Sequence, residues 1–115
     1  MRENRKFIRL KAPIGVTYKL LKSKRRKEAL SLIRNISGGG VCLAVKEPFR
    51  EGDLLEVRIQ IPHLKEPIDA VGEVIWYSET TEKDRQNREA GIRFRDIAPQ
   101  DLHQILEYVY MVGIG

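Results

Sequence analysis

Short runs of alternating apolar and polar residues limit what this 115-residue chain can fold into. The clearest run is Leu55 to Ile61, in which every second residue is aliphatic and the residues between them are polar or charged. Strict alternation is typical of a β-strand that buries one face. Comparable strand-like runs cover residues 14–20, 29–36, 41–45, 68–77 and 89–94. Six strands at short spacing predict an all-β fold, either a barrel or a sandwich.

A single helix is predicted after the last strand. Pro99 suits the first helical position, and the apolar residues that follow recur at i, i+3, i+4 and i+7: Leu102, Ile105, Leu106 and Val109. We expect this helix to cover residues 99–111 and to close one end of the β-structure. The apolar tail that ends at Gly115 would pack on the body, contact a partner or mark a truncation.

Several residues within or between the strands have ordinary structural interpretations. Gly72, inside a strand, is a candidate bulge or bend, and Cys42 is predicted to be a small core residue in a strand that is buried on both faces or nearly so. Trp76 is interpreted as part of the barrel core or rim in preference to a ligand-stacking residue, and His63 as an exposed loop residue. Residues 79–88 contain no aliphatic side chain, which predicts an exposed, mobile hairpin tip.

Length and composition indicate one domain that covers residues 1–115. Hydrophobic residues make up 42% of the chain and charged residues 32%, and no apolar run approaches the roughly 20 residues that a membrane-spanning helix needs. The N-terminal end is basic, but no apolar segment follows it, so it does not match a secretory signal. We therefore expect a cytoplasmic protein without membrane insertion.

Catalytic and metal-binding chemistry find little support in the sequence. Cys42 is the one cysteine, which excludes an internal disulfide, and with only His63 and His103 beside it a zinc site is not expected. No Ser/His/Asp or Cys/His set stands out, and the acidic residues are scattered singly. We expect a binding protein that uses no metal and no cofactor and is not an enzyme.

Charge is distributed unevenly along the chain. Residues 1–27 contain eleven of the 21 basic residues and one of the 16 acidic residues, a net +10, so the remainder carries −5. A basic segment attracts anions such as nucleic acid, a phosphorylated small molecule or an acidic surface. We interpret the cluster from Lys22 to Lys27 as a solvated turn, an explanation that fits Arg5 and Arg9 less well.

A polar corner runs from Arg34 to Gly40 and contains Asn35, Ser37 and three consecutive glycines. By itself the pattern favours an ordinary turn, because glycine between strands is mostly structural. It does not match a phosphate loop, which needs Lys-Ser/Thr and a helix after the glycines. Its short polar side chains, and glycines that permit positive φ and leave backbone N–H groups uncovered, also suit contact with a ligand.

The arginines of the N-terminal segment make a ligand site the better interpretation of that corner. Arginine presents a planar fork that binds phosphate, stacks on rings and bonds the O6/N7 edge of guanine. Asn and Ser add hydrogen bonds to a base edge. Arg5 and Arg9 together with Asn35, Ser37 and Gly40 therefore suit a guanine nucleotide and its phosphates.

These five residues carry a resemblance to a known family. Arg5-x-x-x-Arg9 followed by Asn35-x-Ser37-x-x-Gly40 resembles the RxxxR and (D/N)xSxxG signature of the PilZ domain. The resemblance continues through Gly72-x-Val74-x-Trp76, Gly91-Ile92-Arg93-Phe94 and the terminal helix, so that it covers nearly the whole chain.

The resemblance implies a six-stranded antiparallel β-barrel with a C-terminal α-helix that binds cyclic di-GMP. Arg5 and Arg9 would contact guanine and phosphate, and Asn35, Ser37 and Gly40 would line the other side of the site. Residues 1–10 would form a flexible ligand-binding switch, residues 11–96 the barrel and residues 99–111 the helix. Lys6 and Arg34 are interpreted as exposed cations near the site.

The resemblance also implies a role in signalling. The output would be altered binding to a protein partner in bacterial motility, exopolysaccharide or biofilm control, by a monomer or a homodimer. Whether one ligand or an intercalated pair binds stays open, because Asn4 differs from the residues common at that position in the family. The alternatives are a small basic β-barrel that binds single-stranded nucleic acid, and an adaptor that needs no ligand.

Overall fold

The computed structural model describes residues 14–22 and 28–114, with the backbone alone for the last two of these. Its elements are β1 (Ile14–Leu20), β2 (Ala29–Ile36), β3 (Gly40–Ala44), β4 (Leu54–Gln60), β5 (Ile68–Glu82), β6 (Arg85–Ile97) and α1 (Pro99–Ile114). The strands pair antiparallel throughout and close into a barrel in the order β1-β2-β3-β6-β5-β4. The predicted six-stranded barrel with a C-terminal helix is confirmed.

The barrel interior is filled by alternate residues of every strand. On β4, Leu55, Val57 and Ile59 are 0–2% exposed, and the charged or polar residues between them face outward. The described part of the chain has no buried polar or charged residue in this core. Burying aliphatic side chains releases roughly 25 cal/mol per Å² of apolar surface, so the alternation that predicted the strands also closes the barrel.

Helix α1 packs across the barrel end where β2 finishes and β3 begins, which we call the motif end. Ala98 accepts the first helical hydrogen bonds through its carbonyl, from Asp101 and Leu102. Ile105, Tyr108 and Val109 are buried in the core.

The predicted helix stripe is therefore partly wrong. Leu106 is 42% exposed, and Tyr108 takes its place against the barrel. The helix also continues to Ile114, three residues beyond the predicted end. Both Leu106 and Tyr108 flank a stripe centred on Ile105, and only the position of the barrel decides which flank is covered.

Strands β5 and β6 extend far beyond their predicted ends. The region 79–88 is exposed, as predicted, but most of it is a two-stranded ribbon that turns at Lys83 and Asp84. Their φ angles of 50° and 63° suit a two-residue hairpin turn. Because the ribbon is exposed on both faces, its sequence shows no apolar alternation.

Two further expectations can be compared with the fold. The register shift between Val71 and Gly72 confirms the predicted irregularity at Gly72. Strand β3 was predicted to be buried on both faces or nearly so, and none of its residues is exposed: Val41 and Leu43 point inward and are buried, and the outer face is half-buried. The placement of Cys42 in the core is wrong, because Cys42 is half-buried on the outer surface. A closed barrel has one inner face, so alternate residues of every strand must face outward.

His63 lies in the loop between β4 and β5. It is exposed, as predicted, but its ring also lies 5.8 Å from that of Tyr108 on α1. Within the described ranges, no helix is both long enough and apolar enough to cross a membrane.

Candidate functional site

Ser37 organises the turn between β2 and β3. Its backbone N–H donates to the Gly40 carbonyl at 2.9 Å, and its Oγ accepts from the Gly39 N–H at 3.2 Å. The Ser37 Oγ lies 3.5 Å from the Gly40 carbonyl oxygen, which is a weak contact that leaves its hydrogen available to a ligand oxygen. The turn therefore holds this hydroxyl in a defined direction.

Close packing explains Gly40 better than backbone freedom does. A Cβ atom on Gly40 would lie 1.9 Å from the Ile92 carbonyl oxygen and 3.0 Å from the Arg93 Cα. The Phe94 N–H also donates to the Gly39 carbonyl at 3.0 Å, so the turn lies directly against β6. Among the described glycines, positive φ occurs at Gly52 and not in the motif turn, where the sequence had suggested it.

Asn35 faces outward because β2 bulges beside it. Ile33 pairs with Leu43 and Asn35 pairs with Cys42, so that Arg34 and Asn35 together oppose one residue of β3. Such a bulge redirects side chains and is often found next to functional sites. The half-buried Asn35 therefore lies on the outer surface, one residue before the end of β2.

Arg34 forms an ion pair with Glu89 beside the outer surface that Asn35 occupies. Its Nε lies 2.7 Å from the Glu89 Oε2, and the Cys42 Sγ is 3.9 Å from the same oxygen. The predicted exposed cation is indeed half exposed, and it forms an ion pair. An anionic ligand beside Asn35 therefore meets a paired carboxylate rather than an isolated negative charge.

The cross-strand register extends this surface from Asn35 to a tryptophan. Asn35 pairs with Cys42, Cys42 with Gly91, and Gly91 with Trp76. Directly opposed residues share one face of a sheet. We call these four residues the outer row; Arg34 adjoins its first member.

Trp76 departs from the sequence-based interpretation. It is 41% exposed on the outer surface, whereas the sequence had indicated the core or rim. Alternation from the buried Val74 would point Trp76 inward, but a register shift between these two residues turns it outward. The following residue, Tyr77, packs against the core instead.

Arg93 is a second residue that the sequence analysis did not place in the site. It pairs with Gly40 on β3 and with Glu73 on β5, next to the outer row. Glu73 bonds to Arg95 at 3.3 Å. In the part of the chain that the structure describes, no ion pair or hydrogen bond engages the exposed Arg93 guanidinium.

The structure brings Asn35, Ser37 and Gly40 together at the motif end. Arg5 and Arg9, the other two predicted ligand-binding residues, lie outside the described residues, as do the rest of the predicted switch and most of the basic cluster from Lys22 to Lys27. Within the described ranges, no group of three His, Cys, Asp or Glu side chains is arranged to hold a metal ion.

The closed six-stranded barrel and its polar, glycine-rich corner beside β6 agree with the protein family that the sequence matches. The sequence model of the PilZ domain matches residues 3–111, and the chain belongs to the PilZ domain family. No curated protein sequence matches the chain.

Solved structures share the fold at low sequence identity. The Bacillus subtilis inhibitor of motility MotI/DgrA superposes with a TM-score of 0.78 at 20% identity, covering 98% of this chain and 53% of that one. The PilZ domain of Escherichia coli YcgR with c-di-GMP gives 0.75 at 16% identity, covering 97% and 93%. The K. pneumonia MrkH–c-di-GMP complex gives 0.75 at 18% identity, covering 98% and 53%. The chain thus spans about half the length of the MotI and MrkH chains.

Proposed function

We propose that this protein is a cyclic di-GMP receptor without catalytic activity. Ligand binding orders residues 1–10, and the altered surface regulates a protein partner in motility, exopolysaccharide or biofilm control. The observation that carries the proposal is the motif corner, where Asn35 and Ser37 present polar groups on the outer surface beside Gly40. Membership of the PilZ family, and the YcgR and MrkH structures with c-di-GMP, support the choice of ligand.

Each predicted site residue has a chemical role in this proposal. Arg5 and Arg9 contact guanine edges and phosphates through charge-assisted hydrogen bonds. Asn35 bonds a base edge, and the Ser37 hydroxyl donates to a ligand oxygen. Gly40 lets the ligand approach the backbone and keeps the turn against β6.

Calorimetric titration with cyclic di-GMP, and with GMP for comparison, tests the proposal. Each charge-assisted contact contributes about 1.5–3 kcal/mol, so Arg5→Ala or Arg9→Ala should weaken binding by roughly ten- to a hundredfold. Arg50→Ala is the matched control, because Arg50 is exposed on a loop at the opposite end of the barrel. Absence of heat with cyclic di-GMP at tens of micromolar would refute the proposal. Equal affinities for all three variants would refute the arginine roles.

The proposed switch has its own measurement. Ligand should slow amide hydrogen exchange within residues 1–10, because ordering this segment requires the arginine contacts. The Arg5→Ala/Arg9→Ala double variant should lose that protection.

The calorimetric titration also gives the ligand stoichiometry, and sedimentation with and without ligand distinguishes a monomer from a homodimer. We place the protein in the cytoplasm, where a nucleotide messenger would reach it.

The single-stranded nucleic acid alternative gains no support from the described surface. Such barrels bind bases on several exposed aromatic side chains. In residues 14–22 and 28–112, the large exposed aromatics are Trp76 on β5 and Tyr110 on α1. Nucleic-acid binding would also weaken steeply with salt and depend on the Lys22 to Lys27 cluster, and neither behaviour is expected of the nucleotide site.

A further inference from the structure

We propose that Phe7 and Ile8 of the N-terminal segment dock on an apolar patch of β2 when the ligand binds, so that apolar contact as well as the arginines holds the segment closed. The patch consists of Leu30 and Leu32 and is called the β2 patch. The N-terminal segment, residues 1–13, lies outside the described residues. This inference rests on the proposed function, because it concerns the segment that closes over the same site.

The β2 patch contains the most exposed large apolar side chains of the described strands. Leu30 is 66% exposed and Leu32 is 55% exposed, whereas the next such strand residue, Trp76, is 41% exposed. The two leucines are two residues apart on one strand, so they point to the same side and form a continuous surface. Strand β2 is paired on both sides, with β1 and β3, so an incoming segment meets side chains there and no free backbone edge.

The N-terminal segment joins the barrel beside this patch. Ile14, the first residue of β1, pairs with Ile33, and Gly15 pairs with Leu32. Paired strands lie about 4.8 Å apart. At about 3.3 Å per residue, Phe7 can lie up to about 23 Å from Ile14 along the chain. The segment is therefore long enough to turn back over the outer surface of β2.

One position of the segment allows both the arginine contacts and the apolar contact. Leu32 precedes Asn35 by three residues on β2, which is about 10 Å. Phe7 is two residues from both Arg5 and Arg9, which is about 7 Å in an extended chain. When the two arginines hold a ligand at Asn35, Phe7 is therefore within reach of Leu32.

The apolar pair falls on the side of the arginines in either regular backbone conformation. In an extended segment Phe7 shares one side with Arg5 and Arg9. In a helical turn, at about 100° per residue, Ile8 lies about 60° from Arg5 around the axis. The side of the segment that turns the arginines to the barrel thus turns one apolar side chain to it as well.

A second copy of the chain is a poorer occupant of the β2 patch. A specific protein–protein interface buries about 800 Å² on each partner, far more than two leucine side chains expose. A short apolar pair within a basic segment matches the patch in size. Closure of the segment then links the ligand site to a change in the surface that the barrel presents.

Calorimetry with cyclic di-GMP tests the docking through a cycle of variants. Leu32→Thr keeps a residue that favours strands, and it should weaken binding about tenfold, the effect of leaving roughly 60 Å² of apolar surface uncovered. Phe7→Ser/Ile8→Ser should weaken binding by a similar factor. Combining the three changes should cost no more than about twofold beyond either, because the same contact is lost once.

The matched control is a leucine at the other end of the barrel. Leu21 is 40% exposed and directly follows β1, at the end opposite the motif. Leu21→Thr should bind cyclic di-GMP within about twofold of wild type. Thermal unfolding reports whether each variant is folded.

A disulfide test measures proximity independently of affinity. In a Cys42→Ser background, Phe7→Cys or Ile8→Cys is combined with Leu32→Cys and oxidised by diamide. A bridge requires Cβ atoms about 3.5–4.5 Å apart, so saturating cyclic di-GMP should speed its formation at least about fivefold in one of the two pairs. The same segment cysteines combined with Leu21→Cys should show no such increase.

The outcomes separate this inference from the function on which it rests. If the wild type does not bind cyclic di-GMP, both fail. If it binds, and Arg9→Ala weakens binding while Leu32→Thr does not, the function stands and the docking is overturned.

Losses that multiply in the combined variant would also overturn the docking, since the two sides would then act independently. A changed sedimentation rate for Leu32→Thr with unchanged affinity would assign the β2 patch to a contact between two copies instead. A shared tenfold loss that does not multiply, together with a disulfide that forms faster with ligand, supports the docking.

Discussion

Replacing Gly40 by alanine tests whether the motif glycine is held by contact with β6. The backbone of Gly40 does not have the positive φ that favours glycine, so alanine meets no conformational penalty there. The obstacle is the 1.9 Å separation between the new Cβ and the Ile92 carbonyl oxygen. Reaching even a tight 3.0 Å contact requires a displacement of about 1 Å between β3 and β6.

The cost of that displacement follows from the hydrogen bonds at the contact. Gly40 pairs with Arg93 in the ladder, and the Phe94 N–H donates to the Gly39 carbonyl at 3.0 Å. Weakening two or three bonds of about 1 kcal/mol each predicts a loss of roughly 1–3 kcal/mol in the free energy of unfolding. For a domain of this size the melting temperature should fall by about 4–12 °C.

Urea unfolding and calorimetry measure the two consequences together. Gly40→Ala should lower the midpoint of unfolding and weaken cyclic di-GMP, because the displaced turn also moves Ser37. Gly15→Ala is the matched control, since its Cβ enters open space and should change stability by no more than about 1 kcal/mol, with binding unaffected. A Gly40→Ala protein as stable as wild type would refute the contact argument. Lost binding without lost stability would instead assign Gly40 directly to the ligand.

Two further predictions concern single side chains. Cys42 lies in the outer row and is the only cysteine, so a bound ligand that covers this row should block alkylation of its thiol. With cyclic di-GMP at about ten times Kd, the rate of alkylation by iodoacetamide should fall roughly tenfold. An unchanged rate at saturation would show that the ligand does not cover Cys42. Burial raises the pKa of Tyr18 from 10.0 to about 12, so the unfolded chain ionises first and stability falls as pH rises from 10 to 12. Tyr18→Phe should cost about 1 kcal/mol at pH 8, through loss of the bond from the Lys46 N–H, and this difference in the free energy of unfolding should shift by roughly 2 kcal/mol in favour of the variant between pH 8 and pH 12. A difference between the two proteins that does not vary with pH in urea unfolding would contradict this.

The sequence predicted the parts of the fold in which local pattern and burial agree. The ends of β1 and β2 match the predicted ranges, and β4 lies within one residue of its range, because each has one buried face that the alternation records. The β5–β6 ribbon was missed beyond Tyr77 because it has no buried face. Its pairing rests on a backbone ladder and polar contacts such as Arg88 Nε to Glu79 Oε1 at 2.9 Å.

The candidate site likewise contains residues that the sequence pattern predicted and residues that only strand pairing placed there. Asn35, Ser37 and Gly40 could be selected from the sequence because their spacing is a motif. Trp76 was assigned to the barrel core or rim because a strand pattern assumes unbroken alternation, and a single register shift reverses the side to which a residue points. Arg93 carries no local signal, and only its pairing with Gly40 brings it to the site.

By itself, the sequence determined the number and order of the strands, the terminal helix, the uneven charge and the motif that identifies the family. These properties depend on the chemistry of neighbouring residues, which a linear pattern contains. Tertiary structure alone decided which face of α1 is covered, that Gly40 is required by contact with β6, and that Asn35 and Trp76 share one surface. The physical reason is barrel closure: pairing β3 with β6 joins residues about 50 positions apart, and bulges on β2 and β5 turn Asn35 and Trp76 to the outer face.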